Sequence, residues 1–299
     1  MHVPVLLSEV VESFAVFNKK TDVIYFDGTF GRGGHYSKLK DSYKILKTYA
    51  TDQDMAAIQY AAQRFPEVQI THENFFNFAE KNKNKLNMAL LDLGVSSPQL
   101  DQSDRGFSFM REGPLDMRMN QNLEKTAADL VNMCSESELF KIFSEYGEVQ
   151  KSAKVVRAIL KDREIQKFES TLQLAQMIER VDGWQKKGFH PATKYFMGLR
   201  LVVNQELEVT EKAIPLLIDQ LEDQGRLSII TFHSLEDRIV KNIFNNSEVG
   251  FSVNKKVIVP TDEECKNNPR ARSAKLRVFQ KGVPPEKPDK FELRRQQKK

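Results

Sequence analysis

An apolar run from Val23 to Phe26 stops at Asp27, and four glycines follow within seven residues: Gly28, Gly31, Gly33 and Gly34. Tyr36-Ser-Lys-Leu then opens a helical pattern. No other stretch restricts the chain as much. Strand, glycine turn, helix is the layout that aims backbone N–H groups and a helix N-terminus at a ligand. Glycine serves there because the backbone must reach positive φ and approach a ligand without a Cβ in the way. The spacing is not G-x-G-x-x-G, so the dinucleotide fingerprint is not met. A bare strand-to-helix turn needs fewer glycines, since each one costs chain entropy on folding.

The first half continues in the same alternation. His2-Val-Pro opens extended and leads into a short amphipathic helix with Leu6, Leu7 and Val10 on one face. Ile45 to Thr51 reads as a second strand ending at Asp52-Gln-Asp54, and Met55 to Phe65 as a helix stopped by Pro66. Val68 to His72 is a third strand. Met88-Ala-Leu-Leu-Asp-Leu is a fourth, and its unbroken apolar run suits a strand covered on both faces. Such alternation implies a parallel sheet with right-handed crossovers, whose ligands sit at the carboxyl ends of the strands. Asp27, Asp52 and Asp92 each stand at such an end. An acid directly before the glycine turn, placed to take a ligand's amino group, is the habit of S-adenosylmethionine sites.

From about Asp104 to Asn204 the strands give way to helical periodicity. Ser135-x-x-Glu138 is a capping box before Leu139, Phe140, Ile142 and Phe143. Stripes at Val155, Val156, Ile159 and Leu160, and at Leu172, Leu174, Ala175 and Ile178, read as packing. The sheet resumes with a helix from Leu207 to Leu221, a turn at Gly225 and a strand from Arg226 to His233. Ser234 is placed to cap the next helix, Leu235 to Phe244. Val253 to Val259 and Lys275 to Phe279 are expected to pair antiparallel at the sheet edge. The organisation expected is an α/β core from 1–103 and 206–283, an inserted helical domain at 104–205, and a basic, disordered tail at 284–299.

Composition excludes little but does exclude something. Of 299 residues, 40% are hydrophobic and 29% charged, as in ordinary globular proteins. A formal net charge of +4 does not by itself argue for nucleic acid. Cys134 and Cys265 are far apart and in no metal-ligand spacing, so no metal is expected and they read as free thiols in a reducing compartment. No apolar run is long enough to span a bilayer, and a cytoplasmic location without a membrane partner is expected.

Six motifs occur in order: Asp27-Gly-Thr-Phe-Gly-Arg-Gly-Gly-His35; Leu91-Asp-Leu-Gly-Val-Ser-Ser-Pro-Gln-Leu100; Arg105-Gly-Phe-Ser-Phe-Met with Gly113-Pro-Leu-Asp-Met-Arg-Met119; His190-Pro-Ala-Thr193; Ser228 to Val240; and Asn268-Pro-Arg-Ala-Arg-Ser273. Together, from His2 to about Lys281, they resemble the bacterial 16S ribosomal RNA cytosine-N4 methyltransferases of the MraW or RsmH family. The resemblance implies a class I S-adenosylmethionine-dependent methyltransferase core, Rossmann-like with a mostly parallel sheet, carrying a helical insert. It implies methylation of N4 of a cytidine in the decoding region of the small ribosomal subunit.

Residue by residue, the resemblance puts S-adenosylmethionine on Gly33, Gly34, His35, Asp52, Phe75, Asp92 and Gln99. The Gly33-Gly34-His35 amides suit a carboxylate at a helix N-terminus. The residues alone leave Asp52 and Asp54 open as the ribose acceptor, and the resemblance favours Asp52. Phe75 suits either adenine stacking or the core. Two departures from the family pattern are a loop at 41–47 without glycine and Thr51 in place of an apolar residue before Asp52.

Methylating an exocyclic cytosine amine is difficult because its lone pair is delocalised into the ring. Catalysis needs acceptors that hold the N4 hydrogens and align the nitrogen with the methyl group. Asp92 and the backbone around Ser96, Ser97 and Pro98 are the candidates, in place of the Asn/Asp-Pro-Pro-aromatic turn of many amino-methyltransferases. Ser96 and Ser97 suit helix capping equally well. The base must leave its stack, with phosphates held by basic side chains. Arg105, Arg111, Arg118, Arg270 and Arg272 are the candidates for 16S rRNA contact. His233 is left unassigned between the cofactor pocket and the RNA, and Glu236, Asp237 and Arg238 suit capping and bracing of a helix. A nicotinamide dehydrogenase should show G-x-G-x-x-G and a Tyr-Lys or His-acid pairing, which are not found. A non-enzymatic assembly factor would have lost the glycine turn, which is intact. An insert this large points to an assembled small subunit as the preferred substrate over bare RNA.

Overall fold

The computed structural model describes residues 4–184 and 190–284, so nearly all of the expected basic tail lies outside the described residues. The chain begins with helix α1 (Leu7–Ser13) and then enters strand β1 (Val23–Asp27). With β1, the next elements make four strand–helix units: α2 (Gly34–Ser42), β2 (Ile45–Asp52), α3 (Met55–Arg64), β3 (Gln69–His72), α4 (Phe75–Lys81), β4 (Leu86–Asp92) and the short α5 (Ser97–Asp101). Next come the helices α6 (Ala127–Met133), α7 (Glu136–Lys141), α8 (Ala153–Ile165), α9 (Thr171–Asp182), α10 (Ala192–Val203) and α11 (Glu206–Gln220). The chain returns to the sheet through β5 (Leu221–Thr231), α12 (Ser234–Asn246), β6 (Gly250–Ser252), α13 (Asp262–Asn267) and β7 (Lys275–Lys281).

The seven strands lie in the order β3-β2-β1-β4-β5-β7-β6. The first five are parallel, while β7 runs antiparallel to both β5 and β6. This is the class I Rossmann-like arrangement. The strand order reverses between β1 and β4, and a crevice at the carboxyl ends there is where such sheets bind ligands. β4 is buried along nearly its whole length. Met88 and Leu90 face the cluster under α1 and α2, whereas Ala89 and Leu91 face the cluster under α4 and α11. Two covered faces explain the unbroken apolar run.

The helices between β4 and β5 build a third cluster, from Phe107 to Val203, with Val95 and Leu100 packed against it. The Ser135–Glu138 capping box forms as expected, with Ser135 N donating to Glu138 Oε2 at 2.8 Å. α10 lies so close to the helical turn after α7 that a Cβ on Gly198 would sit 2.7 Å from Ile142 O. Among the described residues the one pairing within this region is a bridge between Pro114 and Ser170.

Three local expectations are corrected. The edge strand that pairs with β7 is Gly250–Ser252, and the 253–259 stretch adds only a bond from Val253 N to Val278 O and the Ile258–Leu276 bridge. Asn254 explains the break: its side chain accepts from Val278 N and donates to Lys256 O, replacing ladder bonds. β5 begins at Leu221, before Gly225, with an irregularity where Gln224 takes φ +63. The residue capping α12 is His233 and not Ser234, because Ser234 already carries helical geometry and its hydroxyl donates to Glu148.

Candidate active site

The glycine turn is fastened from below by its neighbours. Gly33 sits at φ +68 as the residue preceding α2, where a Cβ would lie 2.5 Å from the Phe65 ring and 3.0 Å from Phe30. The requirement for glycine at 33 is therefore set by backbone conformation and packing inside the protein. Thr51, one of the departures noted above, is fully buried and donates from its hydroxyl to Gly28 O at 2.9 Å. Phe30 N donates to Thr51 O at 3.1 Å. A threonine before Asp52 thus ties the end of β2 to the turn after β1. Gly34 and His35 belong to the first turn of α2, whose amides have no intrahelical acceptor and can receive an anion.

The three strand-end acids differ. Asp27 is 2% exposed and accepts from Tyr25 Oη at 2.8 Å and from Thr29 N at 3.2 Å. The acid expected to meet a ligand's amino group is instead turned inward to hold the turn, and burial pushes it up to about 6. Asp52 is half-buried and accepts from Gly31 N at 2.7 Å and Asp54 N at 2.8 Å. Burial pushes it up to about 6 against the pull of those amides. Each of its oxygens keeps a lone pair, which fits a ribose diol.

The alternative, Asp54, is committed elsewhere. It caps α3 through Ala56 N at 3.0 Å, and its other oxygen receives Gln99 Nε2 at 3.0 Å and Arg105 Nη1 at 2.6 Å. Gln99 in turn accepts from Ser96 N at 2.9 Å, so α5 is anchored to α3. Ser96 occupies the position before α5, with Ser97 and Pro98 in its first turn. Phe75 is 5% exposed, opens α4, and lies against Gly28, where a Cβ would come within 2.8 Å of its own Cβ. Its ring belongs to the cluster under α4 and α11.

Asp92 stands apart. Its amide is held by Thr29 Oγ1 at 2.7 Å, so β4 ends beside the glycine turn. One carboxylate oxygen lies 3.8 Å from His35 Nδ1, and the other, Oδ1, is buried without a hydrogen-bond partner. His35 donates its Nε2–H to Val5 O at 3.0 Å, and burial holds its pKa below the usual histidine value. Burial, and then the charge of Glu236, push Asp92 up to about 7.

The five arginines do not act alike. Arg105 is 7% exposed, pairs with Asp54 and donates to the carbonyls of Arg118 and Met119 at 3.1 Å, so it faces inward. Arg118 grips Asp116 with two bonds of 2.8 Å and donates to Gln121 O and Leu123 O, bracing its own loop. Arg270 bonds Asp101 at the end of α5 at 2.7 Å. Arg111 and Arg272 are exposed, with no ion pair among the described residues. Loop 105–119 is further pinned by Asn204, which accepts from Met119 N at 2.7 Å and donates to Met117 O at 2.8 Å.

Sequence reasoning did not single out Arg200 or Glu206, and left His233 and Glu236 without a role in the site. Arg200 on α10 binds Glu206 bidentately at 2.8 and 3.1 Å. A Cβ on Gly94, two residues past Asp92, would lie 4.0 Å from Arg200 Nη2. His233 and Glu236 stand at the head of α12, with Nε2 and Oε1 3.0 Å apart. The His-x-x-Glu spacing directly after an apolar strand was a usable signal. Asp237 does brace the fold as expected, through Arg277 at 2.7 Å and Lys275 at 3.2 Å.

A family model described as the MraW methylase family matches residues 1–282. A ribosomal RNA small subunit methyltransferase H of Bdellovibrio bacteriovorus is 58% identical over 289 residues, covering 94% of this chain and 88% of that protein. One from Shewanella frigidimarina is 41% identical over 311 residues, covering 94% of this chain and 97% of that protein. Among solved structures, a ribosomal RNA methylase of Streptococcus thermophilus has a TM-score of 0.47 at 12% identity, over 95% of this chain and 100% of that one.

Proposed function

The chain belongs to the MraW methylase family, and on that premise we propose that it methylates N4 of a cytidine in the decoding region of 16S ribosomal RNA, using S-adenosylmethionine. The observation that carries the reading is Asp92 Oδ1, a buried acceptor without a partner at the β1–β4 switch point. Among the described residues it is the strand-end carboxylate oxygen that is buried with no hydrogen-bond partner, and an amine supplies the donor it lacks. The relatives named above act, by their names, on small-subunit ribosomal RNA.

The site fits the cofactor. The amides of Gly34 and His35 after Gly33 would hold its carboxylate, and Asp52 its ribose. Phe75 and Gln99 would line the pocket beside Asp92. When bound, the cofactor supplies an electrophilic methyl group on sulfur. Asp92 and the backbone of Ser96, Ser97 and Pro98 then hold the N4 hydrogens and orient the nitrogen towards that methyl. The Asp54–Gln99–Arg105 lock keeps α5, and with it the acceptor turn, at a fixed distance from β2.

We assign residues 104–205 to substrate recognition, with exposed Arg111 from this insert and Arg272 from the core on phosphates, Arg270 of the core beside the acceptor helix, and Arg105 and Arg118 holding the loop that joins insert to core. An insert of this size makes shape-specific contacts with a folded particle that a bare hairpin cannot offer. The test is methylation of purified small subunits, and of the same RNA stripped of protein, followed by nucleoside mass spectrometry and mapping. N4-methylcytidine in the decoding region, formed faster on particles, is expected. Methylation at carbon or on another base sinks the N4 assignment, and equal rates on stripped RNA sink the particle preference.

A further inference from the structure

Among the described residues four buried side-chain atoms have no hydrogen-bond partner: Asp92 Oδ1, His233 Nε2, Glu236 Oε1 and Ser152 Oγ. The first three gather where β4 and β5 end side by side. Asp92 pairs with Ile230 in the sheet, and Leu93 N donates to Ile230 O at 3.0 Å. Asp92 Oδ1 has no counterpart, whereas His233 Nε2 and Glu236 Oε1 face each other 3.0 Å apart as an ion pair. An unpartnered buried oxygen and a buried ion pair thus meet in one place, which marks a site built for something other than stability.

The local architecture shows what holds them. Glu236 is 1% exposed, and its Oε2 accepts from Phe232 N at 2.8 Å and more distantly from His233 N at 3.4 Å. Its Oε1 is 3.0 Å from His233 Nε2, within ion-pair range but not aligned as a hydrogen bond. The nearby guanidinium of Arg200 is already matched by two bonds to Glu206. Glu236 is thus an anion fixed by its own helix start, with a histidine as its side-chain neighbour.

We propose that Glu236, held by His233, is a positioning residue for methyl transfer that keeps Asp92 a strong proton acceptor towards the target amine. The inference rests on the functional reading above. As the amine nitrogen bonds the methyl carbon and the sulfonium C–S bond breaks, the nitrogen becomes cationic. One N4 proton then passes to Asp92 Oδ1, leaving a neutral methylated amine, a neutral thioether and a carboxylic acid. A fixed anion close to the acceptor raises its basicity, because a second negative charge favours the protonated form.

Charged and titratable groups reach Asp92 from several elements. His35 lies 3.8 Å away on α2, and the charge of Asp92 is felt in turn by Tyr25 and Asp27 on β1. Glu236 with His233 acts from the head of α12, while Arg200 on α10 and Glu206 on α11 surround Glu236. Burial opposes the charge on Glu236, but the His233 contact, Arg200 and the Phe232 amide together carry its pKa below the ordinary value. It therefore stays ionised while Asp92, at about 7, exchanges its proton.

The test is the pH dependence of single-turnover methylation of small subunits by wild type and by Glu236→Gln, which keeps shape and removes charge. The wild-type rate should fall with decreasing pH through about 7. In Glu236→Gln that acid limb should move down by about one pH unit. A purely structural role lowers the rate equally at every pH and leaves the limb in place, which overturns the proposal. Should the variant not fold, as judged by thermal unfolding, the wild-type profile still decides: a limb below about pH 5, near that of an ordinary carboxylate, overturns it. Absence of methylation by wild type on any ribosomal substrate sinks the functional reading itself.

Discussion

The glycine turn after β1 and the paired ends of β4 and β5 sit side by side at the carboxyl edge of the sheet, yet they solve opposite problems. At the glycine turn the acids are satisfied: Asp27 by Tyr25 and Thr29, Asp52 by the amides of Gly31 and Asp54. At the β4–β5 end, Asp92 buries an oxygen without a partner, and His233 and Glu236 face each other 3.0 Å apart without an aligned hydrogen bond. The first region spends its polar groups on holding a backbone shape. The second leaves them unspent, at a cost to stability that only a ligand can offset. Scaffold and proposed reaction centre are thus told apart by their hydrogen bonds, although both are rich in acids.

The sharpest way to break this comparison is Asp92→Asn. Methyl transfer should fall by about 10²–10⁴-fold, the usual range for a positioned proton acceptor, measured under single turnover. Stability should not fall. Asp92 is raised in the folded state, so its contribution is present at low pH and is lost as pH rises through about 7. Wild type should therefore gain stability between pH 8 and pH 5 relative to Asp92→Asn, and denaturant titrations at the two pH values check this. A large loss of stability in the variant would make Asp92 part of the scaffold.

Arg105→Ala should do the reverse. It leaves Asp54 buried without its cation, a change that costs about 3–5 kcal/mol in comparable buried pairs. Urea unfolding should register that loss, with activity falling because α5 and loop 105–119 loosen together. Stability within about 0.5 kcal/mol of wild type would mean that the Asp54–Arg105 pair holds nothing. The smallest effect is expected at Gly33→Ala, where the positive φ alone costs roughly 1–2 kcal/mol before the Phe65 ring moves aside. Cofactor affinity measured by calorimetry at a temperature where the variant remains folded should drop only modestly, since the glycine serves the turn and not a close ligand approach.

Much of this could be read from residue order. The apolar runs located β1, β2, β3 and β4 almost to the residue. β1 and β4, covered on both faces, have little choice of composition, and the half-covered β2 and edge strand β3 show through local periodicity and flanking turns. The capping box at Ser135 was legible for the same local reason. Val253 to Val259 looked like a strand by propensity, but Asn254 intercepts the ladder, and a single side-chain bond of that kind leaves no periodic trace. Asp27, Asp52 and Asp92 looked alike as strand-end acids. Which of them is spent and which is free depends on what the neighbouring strands place against each carboxylate.

The arginines make the same point. Arg105, Arg111 and Arg118 stand within one motif and carry the same charge, yet two are consumed by Asp54 and Asp116 and one is exposed. The sequence by itself determined the parallel sheet, the glycine turn, the run of helices after β4 and the acids at the strand ends, all of which follow from local periodicity and turn chemistry. Only the tertiary structure decided the pairing of Arg200 with Glu206, the inward turn of Asp27 and the meeting of Asp92 with Glu236. Asp92 and Glu236 are 144 residues apart in the chain and adjoin because β4 and β5 are neighbours in the sheet. Strand order is fixed by the packing of the whole sheet, and no local pattern encodes it.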